Sequence, residues 1–202
     1  DELATLAGID PIAFRIAHLD DPRAIAVLDT VARESGWHDA RPEAKRADAM
    51  RGRGVGFAQY KNSAAYCAVV IEVEVTDRIL LERVTVAVDA GEVINPDGLM
   101  NQVEGGVLQA ASWTLKEAVQ WDQTQITSRS WDDYPILRFD EVPGEFAVHI
   151  LPHPELPPLG VGECAAGPTA AAIANALADA LGLRVRDLPL TPERLLAALH
   201  EA

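Results

Sequence analysis

Apolar residues at helical spacing mark the first forty positions of the chain. Asp10-Pro11 and Asp21-Pro22 each place a side-chain acceptor at an N-cap position, followed by a proline that suits a first helical turn. Gly36 is typical of the residue that ends the second of these helices. The pattern therefore predicts two helices, with apolar positions at Ile12, Phe14, Ile16, Leu19, Ile25, Val27, Leu28 and Val31.

The pattern changes to a period of two after a polar stretch. Between His38 and about Arg53 the chain is charged and shows no apolar periodicity. We therefore expect an exposed linker at residues 41–53. Val55 and Phe57 then begin a strand.

Two longer runs rich in β-branched residues, Tyr66–Val75 and Ile79–Val88, flank the polar turn Thr76-Asp77-Arg78. Such an arrangement predicts an antiparallel hairpin. Glu72 and Glu74 alternate with apolar residues. We therefore expect one side of the hairpin to face solvent.

The second half of the chain mixes helices and strands without a regular order. Asn95-Pro96-Asp97-Gly98 has the composition of a turn. The other predicted elements are a helix over 102–115, a strand over 146–151, a helix over 168–181 and a final helix from Thr191-Pro192.

Irregular alternation of this kind predicts the α+β class, with an antiparallel or mixed sheet packed against helices. We divide the chain into three parts on this basis. They are a helical N-terminal segment (1–40), the exposed linker (41–53) and a C-terminal domain (54–202).

The composition is that of an acidic globular protein. Hydrophobic residues make up 49% and charged residues 24%, which excludes a disordered chain. The net charge of -14 argues against nucleic acid as a partner, because Lys and Arg supply most of that affinity. Two cysteines, Cys67 and Cys164, are too few for a disulfide framework or an iron–sulfur ligand set.

The segment Gly160-Val161-Gly162-Glu163 carries the strongest candidate for chemistry. Its glycines permit backbone conformations and close approaches that a Cβ would prevent. Gly167-Pro168 predicts the start of an Ala-rich helix, whose first-turn amides favour a nearby anion or cofactor. A glutamate held there is a candidate general base. The alternative is an ordinary surface glutamate in a turn.

Two histidines invite a metal-site interpretation that the spacing does not support. Pro152 and Pro154 keep the segment around His149 and His153 extended. At roughly 3.3 Å per residue the two histidines lie about 13 Å apart, too far for one ion. We therefore predict no metal ligands in this chain.

Several segments together resemble a known family. The chain resembles the C-terminal part of the molybdopterin-binding large subunit of the xanthine dehydrogenase, or molybdenum hydroxylase, family, and is most similar to the isoquinoline 1-oxidoreductase and nicotinate dehydrogenase types. The residues that carry the resemblance are, in order, Asp89-Ala90-Gly91, Asn95-Pro96, Gln102-Val103-Glu104-Gly105-Gly106, Asp133-Tyr134-Pro135-Ile136-Leu137-Arg138, Gly160-Val161-Gly162-Glu163, Gly167-Pro168-Thr169 with the alanine-rich run to Ala176, and Leu188-Pro189.

The resemblance implies specific roles for three residues. Glu163 would lie beside the molybdenum and act as general base, Gln102 would hydrogen-bond the pterin, and Gly162 would bring backbone close to the metal. An amide donates and accepts at once, which suits the edge of a heterocycle. The implied activity is hydroxylation of an N-heterocycle or aldehyde with oxygen from water, with electrons passing to iron–sulfur centres. The implied cofactor is molybdenum–molybdopterin in its cytosine dinucleotide form.

We expect this chain to be only part of the active unit. It begins with Asp1 and not with Met, which is typical of one piece of a larger polypeptide. The resemblance places most pterin-binding loops upstream of this region. The implied partners are the remainder of the large subunit or a companion chain, an iron–sulfur subunit and a small-molecule substrate. We expect no nucleic acid and no membrane span, and a cytoplasmic location, or a periplasmic one should an export signal precede Asp1.

Two other interpretations stay open. A non-catalytic scaffold or assembly domain would keep this fold after losing the cofactor, and the absence of molybdenum and pterin would identify it. Cys164 stands where many members of the family have proline. A cysteine hydrolase would need a histidine close to that thiol.

Overall fold

The computed structural model describes residues 1–40 and 48–201, which form six α-helices and four β-strands. One four-stranded sheet has the order β1-β2-β3-β4. The β1–β2 and β2–β3 pairs are antiparallel and β4 runs parallel to β3, so the sheet is mixed and the predicted α+β class is confirmed. The elements are α1 (Glu2–Ala7), α2 (Pro11–Ile16), α3 (Pro22–Glu34), β1 (Met50–Gln59), β2 (Tyr66–Val75), β3 (Ile79–Asp89), α4 (Pro96–Leu115), β4 (Glu145–Ile150), α5 (Ala166–Leu181) and α6 (Pro192–Glu201).

The N-cap residues predicted from the sequence cap α2 and α3. The Asp10 carboxylate accepts from the Ile12 and Ala13 amides, and the Asp21 carboxylate accepts from the Arg23 amide. The α3 helix is followed by Gly36, which adopts a left-handed φ of 62°. None of the helices in the described ranges combines the length and apolarity needed to cross a bilayer.

Helices cover both faces of the sheet. Alternate residues of β2 point to opposite faces, so Val69 packs with α4 and α5 while Val70 packs with α2 and α3. The antiparallel hairpin of β2 and β3 is confirmed. Its predicted solvent-facing side is wrong, because the N-terminal helices cover that face.

Glu72 and Glu74 are therefore paired instead of hydrated. Glu74 is 1% exposed, and its carboxylate accepts a hydrogen bond from Arg51 at 3.0 Å. Glu72 pairs with Arg53 at 2.6 Å and with Arg83 at 2.7 Å. These last two arginines also donate to carbonyl groups just after the end of α3, which ties that helix to the sheet.

Three glycines let α5 lie directly against β1. A Cβ at Gly52, Gly54 or Gly56 would sit 1.9 to 2.2 Å from a backbone oxygen of α5. The strand begins at Met50, inside the segment predicted as an exposed linker, and Arg53 is only 5% exposed. The last part of the predicted exposed linker is therefore wrong, while residues 41–47 lie outside the described ranges. The first part of this strand has no apolar periodicity because Gly52 and Gly54 contact α5 through their backbone.

The α4 helix also begins earlier than predicted. The Asn95 side chain caps it by accepting from the Gly98 amide at 3.0 Å, and Pro96 is its first residue. The segment predicted as a free turn is thus the cap and first turn of this helix. As a result, Gln102 lies in the second helical turn and not at the helix start.

Candidate active site

The turn that carries Glu163 joins an extended proline-rich segment to α5. Hydrogen bonds from the Cys164 amide to Val161 O and from the Ala166 amide to Glu163 O close the turn. Cys164 and Ala165 are buried and anchor it, while the Glu163 side chain is exposed. The sequence motif predicted Pro168 as the first residue of this helix. The helix begins at Ala166 instead, so Pro168 is its third residue.

Gln102 bridges α4 to this turn. Its side-chain Nε2 donates to the carbonyl oxygen of Gly162 at 2.7 Å. A carbonyl oxygen only accepts, so the amide nitrogen must face it, and the Gln102 Oε1 and second amide hydrogen remain for another partner. The three residues singled out from the sequence, Gln102, Gly162 and Glu163, thus come together from two elements.

Tyr60 contacts the turn from the other side, and no sequence motif indicated this contact. Its phenol oxygen donates to Glu163 Oε2 at 3.1 Å. Nearby, the Ala65 amide donates to the carbonyl oxygen of Gly160 at 3.2 Å. The loop between β1 and β2 therefore holds both ends of the Gly160–Glu163 turn.

A cavity of about 380 Å³ lies beside Gln102 and Gly162. Ala90, Leu99 and Leu159 contribute apolar surface to its lining. The outer side of the neighbouring backbone is also open, because a Cβ added at Gly105, Gly160 or Gly167 would meet no atom within 4 Å. The backbone at these glycines is therefore open to close approach by another group.

A buried ion pair supports the loop that lines this cavity. The Asp89 carboxylate, which is inaccessible to solvent, accepts from Arg23 Nε at 2.7 Å and Nη2 at 2.6 Å, and from the Gly91 amide at 3.0 Å. Burial alone would raise the pKa of Asp89, but the hydrogen bonds from Arg23 and Gly91 outweigh it and lower that pKa. Arg23 belongs to α3, so this ion pair connects the N-terminal helices to the segment that precedes α4.

The two cysteines form a buried pair behind the turn. Cys67 and Cys164 are both free thiols. The hydrogen bond to Cys164, together with burial, raises the pKa of Cys67, whereas the same hydrogen bond lowers the pKa of Cys164. Cys164 is only 2% exposed, so a substrate has no access to its sulfur.

The histidines with described side-chain partners contact groups other than Cys164. His18 contacts Phe14 O, His149 lies near Glu34, and His153 contacts Asp89 and Glu155. The cysteine-hydrolase interpretation required a histidine at this thiol and is not supported. Among the side chains described, those of residues 1–40 and 48–200, no three or more His, Cys, Asp or Glu cluster as a metal ion would need.

Comparison with known proteins identifies the family. The molybdopterin cofactor-binding domain family matches residues 30–143, a range that includes Gln102 and ends before Glu163. The chain is 44% identical to a nicotinate dehydrogenase subunit of Pseudomonas putida over 98% of its own length and 18% of that protein. It is 36% identical to the beta subunit of isoquinoline 1-oxidoreductase from Brevundimonas diminuta, over 95% of its own length and 24% of that protein.

A solved structure with the same fold gives an independent comparison. Quinoline 2-oxidoreductase from Pseudomonas putida 86 superimposes with a TM-score of 0.63 and 30% identity, over 68% of this chain and 19% of that chain. This chain thus spans about a fifth of the length of these proteins. The resemblance read from the sequence motifs is confirmed, and the chain belongs to the molybdopterin cofactor-binding domain family.

Proposed function

We propose that this chain forms one wall of the active site of a molybdenum hydroxylase large subunit. In this proposal Glu163 is the general base, Gln102 hydrogen-bonds the pterin, and the Gly162 backbone lies next to the metal. The observation that carries it is the hydrogen bond from Gln102 to Gly162 O, which joins the predicted pterin ligand to the turn of the predicted base.

The chain's own groups suit these tasks. When bound, a molybdenum–molybdopterin cofactor supplies the two-electron oxidation in which oxygen from water enters the product. Glu163 Oε2 accepts from Tyr60, so Oε1 is the atom that can take up a proton. Gln102 keeps an acceptor and one hydrogen for a heterocycle edge. Open backbone at Gly105, Gly160 and Gly167 leaves room for a planar group.

The names of the relatives support a substrate class. Nicotinate, isoquinoline and quinoline, which appear in those names, are aromatic N-heterocycles. We therefore propose that the complete enzyme hydroxylates an N-heterocycle, or an aldehyde, as the name aldehyde oxidoreductase of a further similar structure suggests.

The form of the cofactor and the partner chains are proposed from the resemblance to the same family. We propose the cytosine dinucleotide form of the cofactor, the remainder of the large subunit or a companion chain as the first partner, and an iron–sulfur subunit as the electron acceptor. The two similar proteins named as subunits support an assembly of several chains.

The test is Glu163→Gln in the complete enzyme. We expect turnover to fall by about 100-fold or more, because a positioned general base contributes on that order, while molybdenum and pterin contents stay unchanged. Glu145→Gln, at an exposed position at the start of β4, is the matched control and should leave turnover unaltered. Near-normal turnover of Glu163→Gln would refute the base assignment. A natively purified assembly without molybdenum and pterin fluorescence would favour the scaffold alternative.

A further inference from the structure

The loop after β1 is built around Tyr60. The carbonyl oxygen of Tyr60 accepts from the Ala64 amide, and the Tyr60 amide donates to Ala65 O, both at 2.8 Å. Lys61 and Asn62 adopt left-handed φ values of 52° and 56°, which few residues other than glycine take up without cause. These features close a tight loop whose geometry fixes the direction of the Tyr60 side chain.

The same loop is fastened to the turn of the proposed base. The Ala65 amide donates to Gly160 O at one end of the turn, and the Tyr60 phenol donates to Glu163 Oε2 at the other. The Tyr60 ring packs against the apolar core between the sheet and α5. The Lys61 ammonium lies 5.1 Å from the ring centroid on the exposed side. The phenol is therefore held by contacts independent of Glu163.

The Glu163 carboxylate, in contrast, is exposed and depends on few contacts. Gln102 fixes the backbone of the turn through Gly162 O and does not contact the carboxylate in this arrangement. The direction of the carboxylate is therefore set by the phenol. A hydroxyl can donate to only one carboxylate oxygen at a time, so it leaves the second as the proton acceptor.

We infer that Tyr60 is a positioning residue that holds Glu163 Oε2 and thereby aims Oε1 at the reacting group. This inference rests on the proposed role of Glu163. A base acts efficiently only when it is held in reach of its proton, and a loosely oriented side chain loses part of that advantage.

The test is Tyr60→Phe in the complete enzyme, loaded with its cofactor. We expect kcat to fall about tenfold, the usual size for loss of a hydrogen bond to a charged group, while KM stays the same. Molybdenum content and melting temperature should equal those of the wild type. Tyr134→Phe is the matched control, because the Tyr134 hydroxyl donates to Glu117 Oε2 at 2.9 Å in another Tyr–Glu pair, and it should leave kcat unchanged.

The comparison with Glu163→Gln separates this inference from the proposed function. If Glu163→Gln is inactive and Tyr60→Phe retains wild-type kcat, the positioning role is refuted and the base assignment stands. If Glu163→Gln is active, both are refuted. A drop in molybdenum content or melting temperature with Tyr60→Phe that accounts for the lost activity would also overturn the inference, because Tyr60 would then act through the fold.

Discussion

The side-chain amide of Gln102 and the carbonyl oxygen of Gly162 lie 2.7 Å apart, although sixty residues separate them along the chain. This hydrogen bond links α4 directly to the turn that precedes α5. One side chain can therefore serve two purposes: it fixes the Glu163 turn and presents its remaining polar atoms to a ligand.

Replacement of Gln102 by alanine should separate these two purposes. We expect a loss of about 1 kcal/mol in the free energy of unfolding from the missing hydrogen bond. We also expect a clear drop in the molybdenum and pterin content of the complete enzyme. Thermal unfolding and metal analysis of the same preparation measure both.

Asn101→Ala is the matched control for this change. The Asn101 amide also donates to a backbone carbonyl, that of Asp97 at 2.8 Å, but within its own helix. It should show a comparable change in stability with full cofactor content. Equal cofactor content in the Gln102→Ala and Asn101→Ala proteins would contradict the pterin role of Gln102.

The elements that were predicted well from the sequence are those specified by neighbouring residues. The caps at Asp10 and Asp21 need only the amides that follow them, and β2 was predicted with its bounds because apolar residues fill it. The start of β1 was missed because Gly52 and Gly54 contribute no apolar side chain. The burial of Glu74 was missed because its partner Arg51 lies 23 residues away along the chain, on the neighbouring strand.

The residues of the candidate site also differ in whether the sequence alone could indicate them. Gln102 and Glu163 were found through short motifs with a family resemblance, since each motif is local. Tyr60 was not found, because its partner lies 103 residues away and no spacing rule connects a tyrosine in one loop to a glutamate in another. The pairing of Arg23 with Asp89, which supports the same region, was missed for the same reason, because 66 residues separate the two.

Gly54→Ala should test the close contact between β1 and α5. The added Cβ would lie 2.2 Å from Ala172 O and 2.3 Å from the Ala176 nitrogen, so the helix must move away from the strand. We expect destabilisation of about 3 kcal/mol or more, at the upper end for overpacking, because rigid backbone is displaced. Urea unfolding measures this loss of stability.

Ala58→Ser is the control for this change. It adds one atom at a half-buried position of the same strand, and its free energy of unfolding should stay within about 0.5 kcal/mol of the wild type. Similar midpoints for the two variants would contradict the packing described here.

Asp89→Asn should change how stability depends on pH. The folded-state pKa of Asp89 is lowered, so its ionised form stabilises the fold above the ordinary pKa near 4, and this contribution is lost as the pH falls through the lower folded value. The variant should be less stable by about 3 kcal/mol at neutral pH, because Arg23 loses its charged partner. Its deficit should shrink as the pH falls below about 4. Urea midpoints measured from neutral to acidic pH check this, with Asp20→Asn at an exposed position as control. A deficit that is constant with pH would contradict the assignment.

Cys164→Ala should leave catalysis intact, although Cys164 directly follows the proposed base. The thiol is buried against Cys67 and faces the core behind the turn, so it packs and does not reach a ligand. We expect kcat and molybdenum content close to wild type, with a loss of about 1 kcal/mol in stability from the smaller side chain. Cys67→Ala removes the other thiol of the pair and should behave alike. In the native protein both thiols should resist a thiol reagent until the chain unfolds. A selective loss of turnover in Cys164→Ala, with full cofactor content and unaltered Cys67→Ala activity, would instead assign the sulfur a part in the reaction.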